Sequence, residues 1–232
     1  MSYQINLADV DVDGAVREAA DSVTGDTRLS FLKKAGLASG AAMSGGAVLS
    51  ALAPGALAAV GNGRPPASFG KGDVGILNYA LTLEYLEAAF YNGASAANLP
   101  LSSQGAAFLK VVTRDENAHV KFLKSALGAS AAKEPKFDFK GTNTNAEMFM
   151  KTAQVLENTG VHAYSGQALN IESPKYVKAA VSILTIEARH ASVIGLLNEP
   201  AGEAIAPNGP FDTPLTASKV LAAVKGTGFI VG

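Results

Sequence analysis

TRDENAHVKFL, residues Thr113 to Leu123, is the stretch whose reading decides the fold. Around it Leu109, Val112, Val120 and Leu123 recur at three and four spacing, the period of a helix with one buried face. Glu116 and His119 lie inside that same stripe. A carboxylate and an imidazole carried on a core-facing side must be neutralised by something, because an unpaired buried charge is expensive. The stretch therefore poses a question of fold and a question of chemistry together.

Outward from it, four long segments carry the helical period and are divided by turn signals. The first runs from about Val74 to Asn92 and is expected to stop at Asn92-Gly93. The second begins near Ser102, an N-cap candidate after Pro100, and ends at Gly128. The third spans about Asn145 to Asn170. The fourth starts at Ser173-Pro174, with proline where a missing N–H costs least, and reaches about Asn198. DTPLTASKVLAAV, Asp212 to Val224, reads as a short fifth helix. No alternating strand pattern is long enough to build a sheet, so the expected domain is all-α, an antiparallel four-helix bundle over residues 74–198 with a C-terminal extension over 199–232.

The four helices repeat as two pairs. Leu83, Glu84 and Tyr91 in the first match Leu156, Glu157 and Tyr164 in the third, and Glu116-x-x-His119 in the second matches Glu187-x-x-His190 in the fourth. The glutamates are 73 positions apart in one pair and 71 in the other, which keeps the copies nearly in register and suggests a pseudo-twofold site. Each of the six residues lies on an apolar stripe, as in Leu77, Leu81, Glu84, Ala88, Tyr91 or Ala180, Ile183, Glu187, His190, Ile194. Glu87 competes with Glu84 on the first helix, but it aligns with Gly160, whereas Glu84 shares its stripe and tyrosine spacing with Glu157. His162 points away from the Glu157 stripe and reads as a surface or packing residue. Tyr91 and Tyr164 read as core tyrosines with hydroxyls hydrogen-bonded near the site.

Four carboxylates and two imidazoles converging in a core require compensating positive charge. Two divalent metal ions supply it, and Glu at i with His at i+3 lets one helix face offer both ligands to the same centre. The chain has no cysteine, so thiolate sites, thiol nucleophiles and disulfides are excluded. Carboxylate and imidazole suit iron or manganese better than a soft metal, with zinc remaining open. A net charge of -1 and the lack of a Lys/Arg cluster interleaved with aromatics argue against nucleic acid as a partner.

The constellation resembles the ferritin-like di-iron carboxylate proteins, and the phrases LNYALTLEYLEAAFYNGA and FDTPLTASKVLAAV look more narrowly like their exported, desiccation-related branch. The resemblance covers about residues 70–226. It implies two iron ions, alternatively manganese, with Glu116 and Glu187 as bridging, catalytic carboxylates and Glu84, Glu157, His119 and His190 as terminal ligands. Asp115 matches a position that holds the opposing histidine through its second nitrogen; Ile186 occupies the symmetric place. The implied activity is an oxidoreductase acting on dioxygen, peroxide or ferrous iron, by ferrous oxidation, peroxide reduction or catalase-like disproportionation, in oxidative or desiccation stress protection. The alternative is a non-catalytic ferritin-like structural or interaction protein of the cell envelope. Small-residue surfaces such as Ala88-Ala89 and Ala179-Ala180 serve tight helix packing or a homo-oligomer interface equally well. No rubredoxin-like cysteine site or cofactor loop indicates an electron donor.

Before the bundle, residues 1–26 are polar and acidic, and TRLSFLKKAG leads into a Gly- and Ala-rich run ending in Ala56-Leu57-Ala58. Basic residues, a weakly apolar run and a small-x-small end resemble a twin-arginine export signal, with Arg28 present and Leu29 standing at the second arginine position. The expectation is a signal over 1–58, a linker over 59–73 and an exported, periplasmic or extracytoplasmic domain. The alternative is an uncleaved N-terminal helix packed on the domain or lying on a membrane surface, and a cytoplasmic location is the alternative to export. A stable membrane span is disfavoured, because ~20 predominantly apolar residues are needed and this run is diluted by Gly, Ser and Pro.

Overall fold

Helix α1, Gly72–Ala96, and helix α2, Ser103–Leu127, form one antiparallel hairpin, and α3, Ala146–Gln167, and α4, Pro174–Asn198, form the second. A short α5, Ala217–Thr227, closes the chain. The computed structural model describes residues 63–199 and 205–231; the signal-like segment 1–58 and residues 59–62 of the linker lie outside the described residues. Among the described residues the only β pairing is an isolated antiparallel bridge between Phe137 and Ile230. The architecture is the expected all-α antiparallel four-helix bundle with a short C-terminal helix.

Local chemistry sets the helix ends. Ser102 Oγ accepts from Gly105 N at 3.1 Å and Asn145 Oδ1 from Met148 N at 3.0 Å, each satisfying a donor that the first turn leaves orphaned. Pro174 opens α4, and the cap is supplied from another helix: Asp73 on α1 accepts from Glu172 N at 2.8 Å and Ser173 N at 2.9 Å. Gly128, at φ 55°, ends α2, and the expected last turn of α3 tightens into a 3-10 turn over Ala168–Asn170.

Two ends differ from expectation. Helix α1 passes through Asn92-Gly93 and continues to Ala96. The turn signal serves packing instead: the Asn92 and Asn117 side-chain amides pair at 3.0 and 3.2 Å, and a Cβ at Gly93 would overlap the Asn143 amide. Helix α5 begins at Ala217, not Asp212, with Thr216 as its N-cap.

The core lies in two clusters. One joins Phe90, Tyr91, Phe108, Val112, Phe149 and Ile194 with Val220 and Val224 of α5. The other joins Ile76, Leu81, Leu123, Tyr164, Ile171 and Ile183. The division follows from antiparallel packing, since the start of α1 meets the ends of α2 and α3. Helix α4 is long and apolar enough to cross a bilayer, but its inward face belongs to this core and carries Glu187 and His190.

The segment before α5 is pinned to α3: Leu215 N donates to the His162 carbonyl at 3.1 Å, and Ala217 N to the Gly63 carbonyl at 3.0 Å. A Cβ on Gly166 would overlap the Leu215 carbonyl oxygen. Gly166→Ala is therefore expected to destabilise the domain by about 1–3 kcal/mol, the usual cost of overpacking. Urea denaturation should show a lowered midpoint; an unchanged one would mean that this contact is not tight in solution.

Candidate metal centre

Each hairpin brings its polar residues to the same level of the bundle. Glu84, Glu116, Glu157 and Glu187 have no exposed surface, and His119 and His190 are 9% and 5% exposed. Both imidazoles point Nδ1 inward. His119 Nδ1 lies 3.2 Å from Glu84 Oε2, 3.1 Å from Glu116 Oε2 and 3.2 Å from Glu187 Oε1. His190 Nδ1 lies 3.1 Å from Glu116 Oε1 and 3.3 Å from Glu157 Oε2. Glu116 thus turns one oxygen to each histidine.

Two overlapping ligand sets result: Glu84, Glu116, His119 and Glu187, and Glu116, Glu157, Glu187 and His190, each with one donor atom per residue within 4.8 Å of the others. Glu116 and Glu187 belong to both. Several of these atoms are buried without a hydrogen bond: Glu116 Oε1, Glu157 Oε2, both oxygens of Glu187 and His190 Nδ1. Oxygen and nitrogen donors thus crowd around shared points with several of them unpaired, which is the arrangement a bound cation satisfies. The donor set fits two oxygen- and nitrogen-liking metal ions.

A second layer of contacts orients the donors. The Tyr91 hydroxyl of α1 donates to Glu157 of α3, and the Tyr164 hydroxyl of α3 donates to Glu84 of α1. The exchange is reciprocal because α1 and α3 are antiparallel and in register. His190 Nε2 sits 3.3 Å from Asp115 Oδ2, and Asp115 also pairs with exposed Arg114 at 2.7 Å. The apolar Ile186 stands at the symmetric position. His162 lies outside the cluster, with Nε2 3.1 Å from Asn208 Nδ2 and 3.6 Å from Asp212 Oδ1.

The electrostatics follow from burial among like charges. Desolvation, then the neighbouring carboxylates, push Glu187 well above the ordinary range and Glu116 up to about 7, although the histidines pull both downward. Burial also opposes ionisation of Glu84, but His119 beside it holds that carboxyl below its usual value. Burial alone would lower the imidazoles; the carboxylates outweigh it, raising His190 to about 11 and His119 further. Protons on the imidazoles thus balance the carboxylates, and they occupy the Nδ1 positions that a metal ion would take.

One residue stands nearer the centre than the stripe suggested. Glu87 is buried at 3% exposure, and desolvation followed by the charges of Glu187, Glu116, Glu157 and Glu84 drives its carboxyl well above the usual range. It belongs to neither ligand set. The sequence signal was its pairing with Gly160: a large residue in one copy of the repeat faces the space that a glycine leaves in the other.

Residues 72–199, from the first turn of α1 to the residue after α4, match the model of the ferritin-like domain, over half of the 232-residue chain. No curated protein matches the chain significantly.

Proposed function

Because this chain belongs to the ferritin-like domain family, we propose that its buried cluster holds two metal ions, iron or manganese, and that the loaded protein is an oxidoreductase acting on dioxygen, peroxide or ferrous iron. The sharing of Glu116 and Glu187 by both ligand sets carries this reading. Glu116 and Glu187 would contribute to holding both ions, which when bound would supply redox and Lewis-acid chemistry to a small oxygen species. Glu84 and His119 would complete one position, Glu157 and His190 the other. The chain's other groups fix the donors: Tyr164 and Tyr91 hold the terminal carboxylates by hydrogen bonds, and Asp115 accepts from His190 so that Nδ1 is left for the ion. The flanking apolar clusters keep bulk water from the charged middle.

Anaerobic loading with ferrous iron, followed by separate addition of dioxygen and hydrogen peroxide, tests the activity. Oxidation faster than in iron-free buffer, or catalytic peroxide loss, supports the proposal. A loaded protein inert to both would leave a metal-binding scaffold and contradict it.

Asp115→Ala is expected to weaken one metal position by about 10–100-fold, as loss of an outer partner of a ligand does, and to leave the other nearly unchanged. A binding isotherm split into two steps is the predicted signature. Equal weakening of both sites would place Asp115 in a general electrostatic role.

The signal-like segment and the phrase FDTPLTASKVLAAV support a further part of the proposal, an exported protein of oxidative or desiccation protection. Fractionation of cells with N-terminal sequencing checks it: a mature end near Ala59 outside the cytoplasm agrees, and a full-length cytoplasmic chain does not.

A further inference from the structure

Glu87 is the centre-facing carboxylate that the two ligand sets leave out. It follows Glu84 by one turn on α1 and is 3% exposed, in the field of the Glu187, Glu116, Glu157 and Glu84 carboxylates. A carboxyl buried among like charges calls for an explanation. Its surroundings offer one on each side.

Toward the centre, a methyl on Gly160 would lie 2.7 Å from Glu187 Oε2 and 3.5 Å from Glu87 Oε1, so both carboxyl groups come in over the same glycine. Away from the centre, Glu87 lines a cavity of about 30 Å³ between α1, α3 and α5, walled by Leu83, Leu86, Val224 and Thr227 and bordered by exposed Ala223. That volume exceeds the ~10–15 Å³ that one water requires. A mostly apolar cavity with the Glu87 carboxyl at its inner end holds a small polar molecule better than an apolar one.

We propose that this cavity is the port through which a water-sized oxygen species reaches the metal centre, and that the Glu87 carboxyl is the polar group that receives it. The inference rests on the di-metal reading. Two other openings are less suited. The groove of about 660 Å³ between α2 and α4 reaches His190, but on the side of Asp115, behind the ring and away from Nδ1. A cavity of about 20 Å³ beside α1 and α3 ends at Tyr164, whose hydroxyl is committed to Glu84. The port gives α5 a role in the site: Val224 and Thr227 are its outer wall.

Two measurements test the port. The first follows nitric oxide, a neutral diatomic probe, binding to the full-length di-ferrous protein by anaerobic stopped-flow absorbance. Ala223→Phe at the rim should slow association by about tenfold, equivalent to about 1.4 kcal/mol of added barrier, while Ala107→Trp in the α2–α4 groove should leave it unchanged. The second is a high-resolution crystal structure of the metal-free protein. An ordered water on the Glu87 carboxyl is expected, kept in Glu87→Gln and lost in Glu87→Leu. Two irons bound with an unslowed Ala223→Phe variant, or a dry cavity in the wild type, would overturn the port alone. A chain that takes up no iron would overturn the di-metal reading and the port with it.

Discussion

Glu116→Ala is expected to abolish both metal positions, whereas Glu84→Ala or Glu157→Ala should remove only one. Glu116 turns Oε2 toward His119 and Oε1 toward His190 and belongs to both ligand sets, while Glu84 and Glu157 each belong to one. Affinity at each position should fall by at least about a hundredfold, the upper end of what losing even an outer partner costs. The metal-free Glu116→Ala protein should melt lower than metal-free wild type. The substitution strips His119 and His190 of a facing carboxylate and leaves a void in the core. Ferrous titration monitored by isothermal calorimetry, with thermal melts of the metal-free forms, checks both. Retention of one intact metal position in Glu116→Ala would show that the carboxylate is not shared.

The second large effect is a pH dependence that reverses on metal loading. In the metal-free protein Glu116 is raised from 4.5 to about 7 and His190 from 6.5 to about 11, and Glu187, Glu87 and His119 move upward as well. A group with a raised folded pKa contributes stability below its unfolded value and loses it as pH rises through its folded one. Glu116 therefore loses its contribution between about pH 4.5 and 7, and His190 between about 6.5 and 11. Glu84 and Asp115, held low, work in the opposite sense, but their gain falls in the acid range, below the interval considered. Metal-free stability should fall on the order of a few kcal/mol from pH 5 to 9. Metal affinity should rise over the same interval, since binding displaces those protons. Thermal melts with and without manganese across that range test the prediction. A metal-free protein that gains stability toward pH 9 would refute the charge balance described for the cluster.

The readable part of this molecule was its stripes. Glu84, Glu116, His119, Glu157, Glu187 and His190 stood at core positions of helices whose apolar period was otherwise clear, and burial forces such residues together whatever the loops do. Asn92-Gly93 misled because the same residue types that end helices also permit close approach, and only the tertiary position of Asn143 decides between the two uses. The start of α5 differs from the expected Asp212 for a related reason: the backbone N–H groups of Leu215 and Ala217 are spent on the His162 and Gly63 carbonyls. Glu84 and Glu87 share a helix yet occupy different places, one in a ligand set and one beside a cavity. That distinction depends on the packing of α5 over α1 and α3, and no periodicity within a single helix carries it.

The most direct test of the central claim is the metal content of the folded protein purified from its native host, measured by elemental analysis. Two overlapping ligand sets with two shared carboxylates predict about two iron or manganese atoms per chain. A well-folded chain that carries no metal, and takes up none when ferrous iron or manganese is supplied anaerobically at neutral pH, would contradict it.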